Sequence, residues 1–153
     1  MRGYELQDLL CRDWYVRKSF VGIFPSNQLP RKVLKGESRA FVFNTDPHYK
    51  RGSHWVALFI NSFGDATYFD SFGLPPIQAS IKRFILNNSR SLRYNSIPIQ
   101  SLVSKACGLF CIHFIRVMCR GGTLRDVLSH FNPYSQSFND RKIKNLVPRS
   151  RRF

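Results

Sequence analysis

The sequence predicts an α+β domain with a mostly antiparallel central sheet flanked by helices, and three observations carry that expectation. Trp55 to Ile60 is a nearly continuous run of aromatic, β-branched and other apolar residues, the pattern of a strand buried on both faces. Cys107 to Cys119 is apolar almost all round, which marks a buried helix. Around these two runs, short strand candidates meander between amphipathic helical segments.

In chain order, Glu5 to Trp14 reads as a short helix with Leu6, Leu9 and Leu10 on one face. Phe20 to Lys35 contains Gly22, Pro25, Asn27 and Pro30 and reads as loop or turn. Arg39 to Asn44 is a strand candidate, and Asp46 to Gly52 is a polar connection to the central strand. Asn61 to Asp65 closes a hairpin of the longer kind, and Ala66 to Asp70 is its return strand. Gly73, Pro75 and Pro76 end that strand. A helix follows from about Ile77 to Asn87, with Ile77, Ile81, Phe84 and Ile85 spaced for one face. Leu92 to Gln100 reads as a further strand and Ser101 to Ala106 as the loop into the buried helix. Gly121 and Gly122 end that helix. Thr123 caps a last amphipathic helix that runs through His130, and the chain from Asn132 onward is polar and basic.

A chain of 153 residues that is 43% hydrophobic fits one domain. The whole chain, 1–153, is read as that domain, with about 132–153 as a polar, basic C-terminal segment. No apolar run is long enough to span a bilayer, and the first eight residues lack the apolar core of a signal peptide. An intracellular protein with no membrane partner is therefore expected. The cysteines are Cys11, Cys107, Cys111 and Cys119, three of them in one apolar segment, so free thiols rather than a disulfide framework are expected. The spacing of Cys107 and Cys111 does not make a zinc site, because no second ligand pair stands at finger spacing. Twenty-four Lys and Arg against nine Asp and Glu give a net charge of +15, which attracts polyanions. No zinc-finger, RNA-recognition or helix-turn-helix signature accompanies that charge, so it points to phosphate-backbone contact without base readout.

The chemistry centres on Cys107. It lies where a loop gives way to an apolar helix, and the positive end of a helix favours a thiolate. Gly108 follows and permits close approach of backbone or substrate. Cys111 and Cys119, inside the helix, read as structural thiols. A thiol nucleophile needs a base, and His54 stands out because it opens the most hydrophobic strand, just before Trp55. His113 reads as a satisfied core residue, His130 as the end of a surface helix, and His48 as a loop residue. A base needs an orienting group. Asp70 ends the strand expected to pair with that of His54, and counting back from the hairpin puts the two close to opposite one another. Asp65 lies in the hairpin loop and Asp46 has no such partner. For an oxyanion, the Cys107 backbone N–H is free at the helix start, and Gln100 is a candidate side-chain donor just upstream.

Three segments are similar to one family: Gly52-Ser53-His54-Trp55, Tyr68-Phe69-Asp70-Ser71-Phe72-Gly73, and Gln100 through Ala106-Cys107-Gly108-Leu109-Phe110-Cys111. In the order His, acid, Gln, Cys they resemble the adenovirus-type cysteine endopeptidase (adenain) family. That family is related to the ubiquitin-like-protein proteases and also occurs in Polinton/Maverick-type mobile elements. Phe20 to Phe24 and Ala40 to Thr45 extend the resemblance, which covers most of the chain and weakens after His130. The resemblance implies a papain-like, adenain-like fold with His54 as general base, Asp70 as the third triad member, Cys107 as nucleophile and Gln100 as oxyanion donor. It implies a thioester mechanism on viral or mobile-element capsid or core precursors, in the virion and host nucleus. No chemically required cofactor or metal is implied; DNA and a short viral peptide are the implied activators, and a monomer is expected. Two rival readings share the fold: a protease that removes ubiquitin-like modifiers, and a non-catalytic basic nucleic-acid-binding module. The sequence departs from the family pattern in carrying Asp70 where the adenovirus enzymes usually carry Glu, and in being shorter, chiefly at the C-terminus. It also has no cysteine between Asp70 and Gln100 for a disulfide-linked peptide.

Overall fold

A computed structural model describes residues 1–31, 33–50 and 54–149. Two short helices, α1 (Gly3–Cys11) and α2 (Trp14–Arg17), precede four strands, β1 (Phe20–Pro25), β2 (Arg39–Asn44), β3 (Trp55–Ile60) and β4 (Asp65–Phe69). Then come α3 (Ala79–Asn88), β5 (Ser91–Tyr94), α4 (Cys107–Cys119), α5 (Leu124–Ser129) and α6 (Gln136–Leu146). The strands form one sheet in the order β1-β2-β3-β4-β5. The three central strands pair antiparallel, as expected, whereas both edge strands join parallel to their neighbours.

Alternation along the central strands builds two cores. Ala40, Val42, Ala57, Phe59 and Phe69 face one side, where α1, α4 and the C-terminal helices pack. Phe41, Phe43, Val56, Leu58 and Tyr68 face the other, against Ile81, Phe84 and Ile85 of α3. The small side chains of Ala40 and Ala57 leave room for the bulk of α4, and Phe114 of α4 stacks on Phe69 with ring centroids 5.0 Å apart. This packing brings the N-terminal end of α4 to the end of the sheet where β3 begins and β4 finishes.

Several elements differ from the sequence expectation. The stretch from Phe20 expected to be loop opens with β1, because its backbone pairs in parallel with β2 despite a register irregularity next to Gly22. The first helix stops at Cys11, and Asp13 starts α2 by accepting from the N–H groups of Tyr15 and Val16. The helix expected from Ile77 starts at Ala79, and Ile77 is exposed. The strand expected over Leu92 to Gln100 is only β5, an exposed edge strand, and the chain then turns away around Pro98, which has no N–H to give a ladder. The C-terminal segment is not a tail: α6 buries Asn139 and Ile143, with Val147 one turn further on. Those three positions, four residues apart, make one helical face that the surrounding basic residues mask in the sequence.

Candidate active site

His54 sits immediately before β3, where its carbonyl accepts from the Thr45 N–H beside the start of that strand. Asp70 immediately follows β4. Ala57 lies across from Phe69 in the ladder, so continuing the register puts Asp70 opposite Val56 and His54 two residues further along. The two side chains therefore meet diagonally, a small shift from the expected opposition. His54 Nε2 lies 2.7 Å from Asp70 Oδ1. The same oxygen accepts from the Phe72 N–H at 2.8 Å, and the Phe72 ring stacks on the imidazole with centroids 4.5 Å apart. Ring and carboxylate are thus each fixed by a second contact.

Cys107 is the first residue of α4, and its thiol lies close enough to the His54 ring for each to shift the other's titration. With Nε2 committed to Asp70, the second ring nitrogen is left for the sulfur. Burial by itself would push the thiol pKa up. The hydrogen bond from His54, the backbone N–H groups of Trp55 and Gly108, and the imidazole charge outweigh burial and hold it below the ordinary thiol value. Burial likewise opposes a charged His54. The hydrogen bonds and negative charges of Asp70 and Cys107 outweigh it and raise the imidazole pKa to about 9. The pair therefore favours thiolate and imidazolium. Cys111, one turn further and fully buried, is driven the other way, chiefly by that burial. All four cysteines are free.

Gln100 is buried beside this site. Its Oε1 accepts from Ser71 Oγ at 2.5 Å, its Nε2 donates to the Ser104 carbonyl at 2.9 Å, and its backbone N–H donates to the Ser71 carbonyl. It therefore links the segment after Asp70 to the loop that delivers Cys107, and one N–H of its amide remains uncommitted. Ser104 Oγ also accepts from the Ala106 N–H, which orders the last residue before the helix.

Sequence reasoning missed Asn95, which lies just beyond β5 and is 2% exposed. Its Oδ1 accepts from the Asp70 N–H at 3.1 Å and its Nδ2 donates to the Asp70 carbonyl at 2.5 Å. The side-chain amide thus takes the place of the next ladder rung. Only the type of residue hinted at this, since Asn carries a donor and an acceptor in the geometry of a peptide group. Gly73 was read only as a strand end, but a Cβ there would stand 2.6 Å from Pro98 N, and its φ of +74° suits glycine. Gly108 allows close approach, as expected: a Cβ on it would stand 2.9 Å from the Met1 sulfur and 3.4 Å from the Trp55 ring. The Trp55 indole N–H donates to the Met1 carbonyl at 3.1 Å, making a shelf beside Cys107. His113 is buried as expected but not satisfied: its Nε2 has no hydrogen-bond partner among the described residues. Gly52 and Ser53 of the His54 motif lie outside the described residues.

No protein-family model matches the chain. Over 125 residues it is 29% identical to the protease of ovine adenovirus D serotype 7, the match covering 72% of this chain and 61% of that protein. The chain thus spans about three fifths of that relative's length. Against the protease of snake adenovirus serotype 1 it is 27% identical over 169 residues, covering 98% of this chain and 80% of the relative. Its sequence relatives include adenovirus proteases. The structure superimposes on the crystal structure of an ASFV protease with a TM-score of 0.62 at 18% identity, covering 95% of this chain and 66% of that one. The chain thus has the fold of that protease, the papain-like, adenain-like fold expected from the sequence. No helix among its described residues is long and apolar enough to cross a membrane.

Proposed function

We propose that the chain is a cysteine endopeptidase in which Cys107 attacks a peptide carbonyl, His54 transfers the proton and Asp70 orients His54. The observation that carries this reading is the hydrogen bond between Asp70 Oδ1 and the His54 ring, with the Cys107 thiol beside that ring at the head of α4. The thiolate adds to the carbonyl carbon. The imidazolium passes its proton to the leaving amine, and a thioester remains. Water, deprotonated by the now neutral imidazole, then releases the acid and the thiol. The oxyanion sits at the N-terminal end of α4, where the Cys107 N–H and the uncommitted Gln100 N–H are the proposed donors.

For substrates, the reading is a viral or mobile-element capsid or core precursor, supported by the naming of the sequence relatives as adenovirus proteases. Stimulation by DNA is supported by the net charge of +15. The test is cleavage of such a precursor, with and without duplex DNA at low salt. Cys107→Ala is expected to abolish cleavage while Cys111→Ala retains most of it, and DNA is expected to raise the rate. Wild-type activity in Cys107→Ala would sink the catalytic assignment. An unchanged rate with DNA would remove the DNA arm alone. Cleavage of a folded ubiquitin-like fusion but of no precursor would reassign the substrate.

A further inference from the structure

The largest cavity described, about 810 Å³, lies between residues 101–106 and α6. Its apolar wall includes Ala106 and Leu109, which flank Cys107 and Gly108 in sequence, together with Val147 at the end of α6. Met1 lines it as well, and the Met1 carbonyl is the group that accepts from the Trp55 indole. Val103 in its lining and the adjacent Leu102 are 92% and 89% exposed, two large apolar side chains turned to water shortly before α4.

Charge at this cavity is predominantly positive. Lys105, Lys144 and Arg149 line it and are exposed, and none of the three is ion-paired among the described residues. The single carboxylate in the lining, Asp140, already accepts from the Ser101 hydroxyl at 2.6 Å and from the Ser101 N–H at 3.4 Å. An apolar wall with three free cations fits an apolar side chain flanked by a carboxylate.

We propose that this cavity selects the substrate: it takes an apolar residue of the polypeptide, with an adjoining Asp or Glu held by Lys105, Lys144 and Arg149. The inference rests on the endopeptidase reading above and adds to it a preference in substrate chemistry. Ala106 and Leu109 place the cavity on one side of the thiol, so the preference falls on one side of the scissile bond.

The test is cleavage-site profiling of a proteome-derived peptide library, with products sequenced by mass spectrometry and duplex DNA present. Wild type is expected to enrich an apolar residue next to Asp or Glu on one side of the cut. The double variant Lys144→Glu, Arg149→Glu is expected to lose the acidic enrichment by about tenfold and to favour Lys or Arg at that position. A matched charge change on the exposed face of α3, Lys82→Glu with Arg83→Glu, is expected to leave the profile as in wild type. Efficient cutting with no acidic enrichment, or an unchanged profile in the Lys144, Arg149 variant, would overturn the pocket and leave the endopeptidase reading standing. A wild-type protein that cuts nothing would overturn both.

Discussion

Asn95 touches neither the His54 ring nor the thiol, yet it grips both backbone polar groups of Asp70. Removing its side chain leaves a buried N–H and a buried carbonyl unpaired, at about 1–3 kcal/mol of stability. It also frees the carboxylate to drift from the imidazole. Asn95→Ala is therefore expected to lower kcat by about 10- to 100-fold with KM little changed. The His54 pKa, followed by NMR, is expected to fall from about 9 toward 6.5. Asn95→Asp keeps the acceptor for the Asp70 N–H but loses the donor, and is expected to recover only part of the rate. A normal rate and a normal His54 titration in Asn95→Ala would show that the turn holds Asp70 without it. The positions proposed as catalytic were legible in the sequence. Cys107 was marked by the boundary between loop and apolar run, His54 by its place before the most hydrophobic strand, and Asp70 by its distance from the hairpin. Asn95 was not legible, because nothing local distinguishes a side chain that mimics a backbone rung from one that faces water.

At the level of elements, the central strands and α4 announced themselves through unbroken apolar runs, since both of their faces are buried. The edges did not. β1 is apolar and packs Phe20, Ile23 and Phe24 against the two cores, but Gly22 and Pro25 inside it read as loop, and every residue of β5 is exposed, so β5 has no hydrophobic pattern to read. α6 contributes few core residues to the inner cluster, yet Ile143 is fully buried there. Ile143→Ala is expected to cost about 2–5 kcal/mol in denaturant unfolding. A loss below about 0.5 kcal/mol would mean that α6 is not part of the cooperative unit. Asp13 adds a polar tie between elements. It caps α2 and also pairs with Arg120 at 2.7 Å, fastening the N-terminal helices to the end of α4.

Across the whole molecule, acid should find a weak point away from the catalytic groups. His113 has a pKa lowered to about 4, first by burial and then by the charges of His130, Arg116 and Lys142. The folded chain therefore refuses a proton that the unfolded chain, near 6.5, accepts. Stability is fully present above about pH 6.5 and is lost as pH falls toward 4, by at most about 3 kcal/mol from this group. His113→Gln is expected to flatten that limb of a stability-against-pH curve, and an unchanged slope would place the acid sensitivity elsewhere. His54 works in the opposite sense. Its raised pKa adds stability below about 6.5 that fades as pH climbs through about 9.

The contact between the Trp55 indole and the Met1 carbonyl gives the protein an optical reporter of its own. Only two tryptophans are present, and Trp14 lies in α2 with its ring exposed and covered on one face by Lys18. In a Trp14→Phe background all indole emission comes from beside Cys107, whose thiol the Trp55 backbone N–H helps to hold below the ordinary thiol value. Alkylating Cys107 exchanges a negatively charged sulfur for a neutral thioether at that spot. The emission of Trp55 is expected to change in step with the titration of one thiol, and to stay constant when Cys107→Ala is treated in the same way. Occupancy of the site then becomes readable by light before any substrate has been identified.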